Sequence, residues 1–212
     1  MCEQGPAEAA GPLLAVVSGP SGVGKSSVVN EVRRRCPQLF VSVSVTTRPP
    51  RAGERPGVDY HYVDVTTFLD MVERGDLLEH AEYAGHLYGT PAGPVRAALA
   101  DGRSALLEIE LQGARQVRAA MPDALQVMLV PPSWEALHGR LSHRGTESPA
   151  ARERRLQVAR IELEAAGEFD ATVVNDDVQR AAEDLINLMV GTDPGHRRDC
   201  ATRATSQGTW SE

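Results

Sequence analysis

Short apolar runs alternate along this chain with longer stretches of helical spacing. Residues 13–19, LLAVVSG, are continuously apolar and end in glycine, the pattern of a parallel strand buried on both faces. The next stretch, SSVVNEVRRR, has helical spacing and ends at Cys36 and Pro37, because the residue before a proline avoids helical angles. Further apolar runs predict strands at SALLEIEL (104–111), LQVMLV (125–130) and ATVV (171–174). Helix-like segments separate them, and that alternation predicts an α/β fold in three layers, a parallel sheet covered on both faces.

Two segments depart from the alternation. Residues 42–94 are rich in Thr, Val, Tyr and Gly with turn signals, and predict a small mixed β insertion that opens on an alternating strand, SVSV. Residues 134–166 have strong helical character interrupted at GTESP, and predict a helical hairpin standing off the core. Residues 1–12 and 192–212 have little to bury and are expected to be disordered tails flanking one domain over 13–191.

Composition narrows the class. A chain of 212 residues, 42% hydrophobic and 24% charged, can bury one substantial core. No run approaches the roughly 18 to 20 apolar residues of a membrane helix, and MCEQGPAEAAGP does not have the basic start and apolar stretch of a signal peptide. A cytoplasmic protein without a membrane partner is expected. Cys2, Cys36 and Cys200 lie far apart and suggest neither a disulfide framework nor a zinc site.

The net charge of -7 argues against nonspecific binding to nucleic acid, which needs a basic face. The charge is nevertheless segregated. Residues 25–55 balance to +5, residues 56–95 to -6 and residues 136–160 to +4. Two basic segments flanking an acidic one suit a small polyanion held in a cleft.

The sharpest chemical signal is GPSGVGKS over 19–26, a phosphate-binding loop between an apolar strand and a helix. Glycines at Gly19, Gly22 and Gly24 let the backbone of Gly19, Pro20, Ser21, Gly22, Val23, Gly24, Lys25, Ser26 and Ser27 curl so that successive N–H groups face one anion, aided by the helix's positive end. Lys25 is then expected to reach the β and γ phosphates of a nucleoside triphosphate, and Ser26 to ligate Mg²⁺. Of 22 basic residues 21 are arginine, and the single lysine is Lys25. A compact ammonium has been kept where it suits phosphate oxygens better than a planar fork does.

The runs SGPSGVGKSS, SVSVTTRPPRAGE, LLEHAEYAGHLYGTP, LLEIELQGAR, GRLSHRGTE and RRLQVARIEL, in this order, resemble the guanylate kinase family of the bacterial type across 13 to about 190. The resemblance implies a P-loop core, a GMP-binding insertion over 42–94, a mobile lid over 134–166, and transfer of the γ-phosphoryl of ATP to GMP or dGMP. It also implies that Arg48 and Arg51, with Tyr60 and Tyr88, grip the GMP phosphate, a set of charge-assisted bonds each worth roughly 1.5–3 kcal/mol. Glu79 is implied to read guanine N1–H and the 2-amino group, with Ser44 and Thr90 on the rest of that edge. Adenine lacks this donor pair, so AMP would leave a buried Glu79 unpaired. Arg140, Arg144 and Arg155 resemble the lid arginines that close over the transferring phosphoryl. Arg55 matches no family position and is expected to pair with a neighbouring acid.

The chain departs from the family at Glu108 and Glu110, where aspartates are usual, one near GMP and one toward Mg²⁺. Glu108 is therefore assigned to substrate and Glu110, with Ser26, to metal. The added methylene moves each carboxylate by roughly 1–1.5 Å unless something compensates. Three rival readings are weaker. A ribose bisphosphate kinase has no use for Ser44, Glu79 and Thr90, and a peptide-binding module has no use for an intact phosphate loop. A GTPase needs a guanine-reading Asn-Lys pair, and no second lysine exists.

Overall fold

The computed structural model describes residues 11–142 and 149–190, with side chains from 142 to 152 excepted. Both expected tails beyond these limits, Arg144, Cys2, Cys200 and nearly all of GTESP lie outside the described residues. A five-stranded parallel sheet forms the core, built from β1 (Leu14–Ser18), β2 (Phe40–Val41), β7 (Ala105–Glu108), β8 (Leu125–Val130) and β9 (Ala171–Val174) in the order β2-β7-β1-β8-β9. One face packs on α1 (Lys25–Arg35) and α7 (Val178–Val190), through Val28, Val32, Ala181 and Leu185 against Val17, Val127 and Leu129. The opposite face packs on α3 (Ala92–Ala100) and α4 (Leu111–Ala120), with Val95, Ala114 and Val117 against Val16 and Leu107. The sheet is thus covered on both sides, which is why its strands are predominantly apolar.

The insertion is a second, mixed sheet ordered β4-β3-β6-β5, from β3 (Val45–Thr46), β4 (His61–Tyr62), β5 (Leu77–Tyr83) and β6 (His86–Pro91). Ala84 and Gly85, both at positive φ (51° and 78°), make the tight turn between β5 and β6. SVSV is not one strand. Ser42 N–H bonds Leu106 of the core sheet, whereas Thr47 N–H bonds Leu87 of the second sheet, so the segment crosses from one sheet to the other. The insertion also contains a helix, α2 (Val65–Glu73), capped by Asp64, which accepts from Thr67 N–H at 2.8 Å. Its Val65, Phe68, Leu69 and Val72 follow helical spacing, and Phe68 fills the space under the sheet. Residues 92–94, expected in the insertion, instead open α3 on the core.

SALLEIEL is strand only to Glu108. Leu111, Ala114 and Val117 recur at helical spacing and turn the chain into α4. The hairpin of α5 (Trp134–Ser142) and α6 (Pro149–Glu164) does not stand off the core. Leu137, Leu141, Leu156, Ala159 and Leu163 bury against Met128 and Val130, because an apolar stripe on each helix needs cover. No described helix is long and apolar enough to cross a membrane.

Candidate active site

β1 and β7 are neighbours in the core sheet, with Val17 opposite Glu108, so their carboxyl ends open side by side. Parallel sheets bind ligands in such a crevice. The loop from Gly19 to Gly24 leaves β1 and enters α1 through Gly24, whose φ of 99° is left-handed. A β-carbon on Gly24 would stand 2.5 Å from Asn175 Nδ2, so both conformation and space require glycine. Gly24 offers no capping side chain, and no acid occupies the first turn, which leaves the first N–H groups of α1 and its positive end for an anion.

Lys25 Nζ donates to Gly19 O at 2.5 Å and to Glu110 Oε2 at 3.1 Å. Burial works against its charge, but Glu110, Glu162 and Glu108 together raise its pKa above the usual value. Ser26 Oγ donates to Glu108 Oε1 at 2.6 Å. Burial raises the Glu108 carboxyl, opposed by Ser26 and Lys25. The structure therefore sets Glu108 beside the Ser26 hydroxyl and Glu110 on Lys25. A hydroxyl and a carboxylate oxygen side by side are hard donors of the kind Mg²⁺ takes alongside phosphate oxygens and water.

The loop is pinned from outside. Arg140 donates to Val23 O at 3.1 Å and Asn175 O at 2.8 Å, and Asn175 Nδ2 donates to Val23 O at 2.7 Å. Arg155 donates to Ser21 Oγ at 3.0 Å. Glu162, 7% exposed on α6, accepts from Ser21 N–H at 3.4 Å. Its carboxyl is pushed up to about 7 by burial and then by Glu110.

Across the cleft, Arg48 is 8% exposed and its guanidinium bonds both oxygens of Glu54, at 2.8 and 3.0 Å. The same guanidinium lies 5.4 Å above the Tyr60 ring. Glu54 also accepts from Arg51 N–H at 2.8 Å and from Tyr62 OH at 2.7 Å. Hydrogen bonding from Arg48 holds the Glu54 carboxyl down at about 2, while Arg48 itself is raised by Glu54 and, secondarily, by Tyr88. The rings of Tyr60 and Tyr88 meet edge to face at 6.0 Å. Burial and then Glu108 push the Tyr60 phenol up to about 12. The Arg51 side chain is exposed on its loop, and the half-buried Ser44 is tied through its carbonyl to His61 N–H. At Arg55 the backbone N–H, rather than the guanidinium, meets Asp59.

Glu79 lies 5% exposed on β5, and its Oε1 accepts from Thr90 Oγ1 at 2.6 Å. Burial pushes its carboxyl up to about 7, against the Thr90 hydrogen bonds. A buried carboxylate is costly unless its oxygens are hydrogen-bonded, and Thr90 supplies one such bond.

A family model described as guanylate kinase matches residues 12–191. The chain belongs to the guanylate kinase family. It is 58% identical over 176 residues to a guanylate kinase of Thermobifida fusca (strain YX), covering 83% of this chain and 90% of that one. It is equally 58% identical over 179 residues to one of Frankia casuarinae, covering 84% and 97%. The crystal structure of guanylate kinase from Anaplasma phagocytophilum superposes with a TM-score of 0.72 at 31% identity, covering 90% of each chain.

Within this member of the guanylate kinase family, sequence reasoning missed Glu54, Tyr62, Asn175 and Glu162. Glu162 was open to detection: it shares the helical spacing of Arg155 and Ala159 and so is a carboxylate on a buried face. Glu54 and Asn175 carry no such periodic signal, because they act from a loop and a strand end.

Proposed function

We propose that the protein is a guanylate kinase in the catalytic sense, transferring the γ-phosphoryl of ATP to GMP or dGMP in purine nucleotide metabolism in the cytoplasm. The observation that carries the reading is the buried Glu79 carboxylate, held by Thr90. A guanine edge offers N1–H and the 2-amino group to such a carboxylate, and adenine does not. Free nucleotides, rather than nucleic acid or a membrane, suit a chain of net charge -7 with local basic segments.

The acceptor brings its own nucleophile. A phosphate monoester has its second pKa near about 6, so GMP arrives mostly dianionic at neutral pH and no general base is required. The difficulty is repulsion between two polyanions, which position and positive charge relieve. Arg48, Arg51, Tyr60 and Tyr88 bind the GMP phosphate, with Glu54 holding Arg48 in place. Gly19 to Ser27 bind the triphosphate, and Lys25 exchanges Glu110 for phosphate oxygens. Ser26, with Glu108 beside its hydroxyl in the place expected of Glu110, would hold Mg²⁺, and the ion would supply positive charge against the phosphates. Arg140 and Arg155, already against the loop, and Arg144 stabilise the charge of the transferring group and exclude water.

The test is Mg²⁺-dependent ADP release from ATP with GMP, dGMP, AMP or ribose 1,5-bisphosphate. Turnover with GMP and dGMP alone supports the reading. Turnover with ribose 1,5-bisphosphate, or none with GMP despite ATP binding, overturns it.

A further inference from the structure

Gly113 sits buried at the third position of α4, in a helix where glycine is among the poorest formers. Nothing about its backbone requires glycine, since it is not among the residues at positive φ. Space does require it. A β-carbon there would stand 2.4 Å from Glu79 Oε2, 2.9 Å from its Cδ and 3.3 Å from its Cγ, and these three are its nearest neighbours. The missing side chain is filled by the end of one carboxylate.

We infer that Gly113 is a specificity-determining position, whose bare Cα seats the Glu79 carboxylate at the place from which it reads the guanine edge. The inference rests on the guanine-reading role proposed for Glu79. It makes Gly113 a positioning residue that acts through Glu79.

Neither side of this contact can retreat at low cost. Gln116, one turn along α4, accepts from His80 N–H at 3.1 Å and donates to His80 O at 2.7 Å, which locks α4 to β5 beside Glu79. Gln126 donates to Ala114 O at 2.8 Å and holds the same turn of α4 on the core sheet. On the other side, Thr90 tethers Glu79 Oε1 at 2.6 Å. An added methyl group must therefore push the carboxylate by roughly 1 Å to regain ordinary contact. A displacement of that size at a two-point hydrogen-bonded edge is enough to cost on the order of 100-fold in rate.

IMP separates a positioning effect from general damage, because inosine keeps N1–H but lacks the 2-amino group. The experiment measures kcat/KM for GMP and for IMP at saturating ATP, the KM for ATP, and the melting temperature, for the wild type, Gly113→Ala, Glu79→Ala and the double variant. In Gly113→Ala, kcat/KM for GMP is expected to fall by about 100-fold. IMP is expected to fall less, shrinking the GMP preference, and the KM for ATP to stay within about twofold, since the phosphate loop is untouched. With Glu79 already alanine, adding Gly113→Ala is expected to leave GMP turnover unchanged and to raise the melting temperature, because alanine is the better helix former and nothing now opposes it.

If Glu79→Ala keeps the GMP preference over IMP, the guanine-reading role falls and this inference falls with it. If Glu79→Ala loses the preference while Gly113→Ala keeps it, or loses GMP and IMP turnover in parallel, only the inference is overturned. If Gly113→Ala does not fold, the double variant decides: recovery of folding when the carboxylate is removed supports the seating role, and continued failure overturns it.

Discussion

Ser26 Oγ and Glu108 Oε1 lie 2.6 Å apart, joining the first turn of α1 to the end of β7 across neighbouring strands of the core sheet. The companion contact is Lys25 Nζ to Glu110 Oε2 at 3.1 Å. Each glutamate engages its partner through a carboxylate oxygen, beyond the methylene that sets it apart from the aspartate usual in the family. Glu108→Asp and Glu110→Asp are each expected to lower kcat by roughly 10- to 100-fold, since about 1 Å of reach is lost at the reacting charges. A gain in turnover for either variant would contradict a site built around glutamate.

Glu54 gathers Arg48, the Arg51 backbone and Tyr62 onto one carboxylate. Glu54→Gln should raise the KM for GMP by about 10-fold or more while leaving the KM for ATP near its original value. It should also lower stability by about 2 kcal/mol, because the Arg48 side chain is only 9% exposed and loses its counter-charge. Since folding lowers the Glu54 pKa from 4.5 to about 2, the stability it contributes is present above 4.5 and lost as pH falls toward 2. Acid titrations followed by circular dichroism should show the wild type losing this advantage over Glu54→Gln across that window.

Burial pushes the Glu79 carboxyl up to about 7, and in the guanine-reading role proposed for it the group must be ionised to accept two hydrogens. The value of kcat/KM for GMP should therefore rise by about tenfold between pH 6 and pH 8. The GMP phosphate adds its own limb near about 6. Glu79→Gln should abolish the limb near 7 and keep the lower one. A wild-type profile already flat above pH 6.5 would contradict the assignment.

Glu162 lies buried beside Glu110 and Lys25, with a pKa raised from 4.5 to about 7. Between these values the folded chain holds a proton that the unfolded chain has released, so stability falls as pH rises through the window. Glu162→Gln has no proton to lose. Its melting temperature should match the wild type near pH 4.5 and exceed it at pH 8, by roughly 2–4 °C for each kcal/mol of ionisation cost removed. ATP should also bind Glu162→Gln more tightly at pH 8, measured by calorimetry, because a negative charge has left the loop. An unchanged melting difference from pH 5 to pH 8 would show that Glu162 carries no ionisation cost.

The sequence by itself determined the layered core and located the phosphate loop. LLAVVSG, LQVMLV and ATVV are mostly apolar on both faces, as a doubly covered strand requires, and they stand within a residue of β1, β8 and β9. GPSGVGKS carries its chemistry in consecutive residues, so its loop was legible without a fold. The acceptor half depends on residues far apart in the chain, and there the runs TTRPPRAGE and LLEHAEYAGHLYGTP spoke only through resemblance. Tertiary structure decided what no local pattern records. It broke SVSV between two sheets, ended SALLEIEL at Glu108 so that Glu110 could turn toward Lys25, and brought Glu162 onto Ser21 from 141 residues away. It also placed Gly113 of α4 under Glu79 of β5, a fit that depends on two backbones meeting in space, whereas hydrophobic periodicity reports only which face of an element is buried.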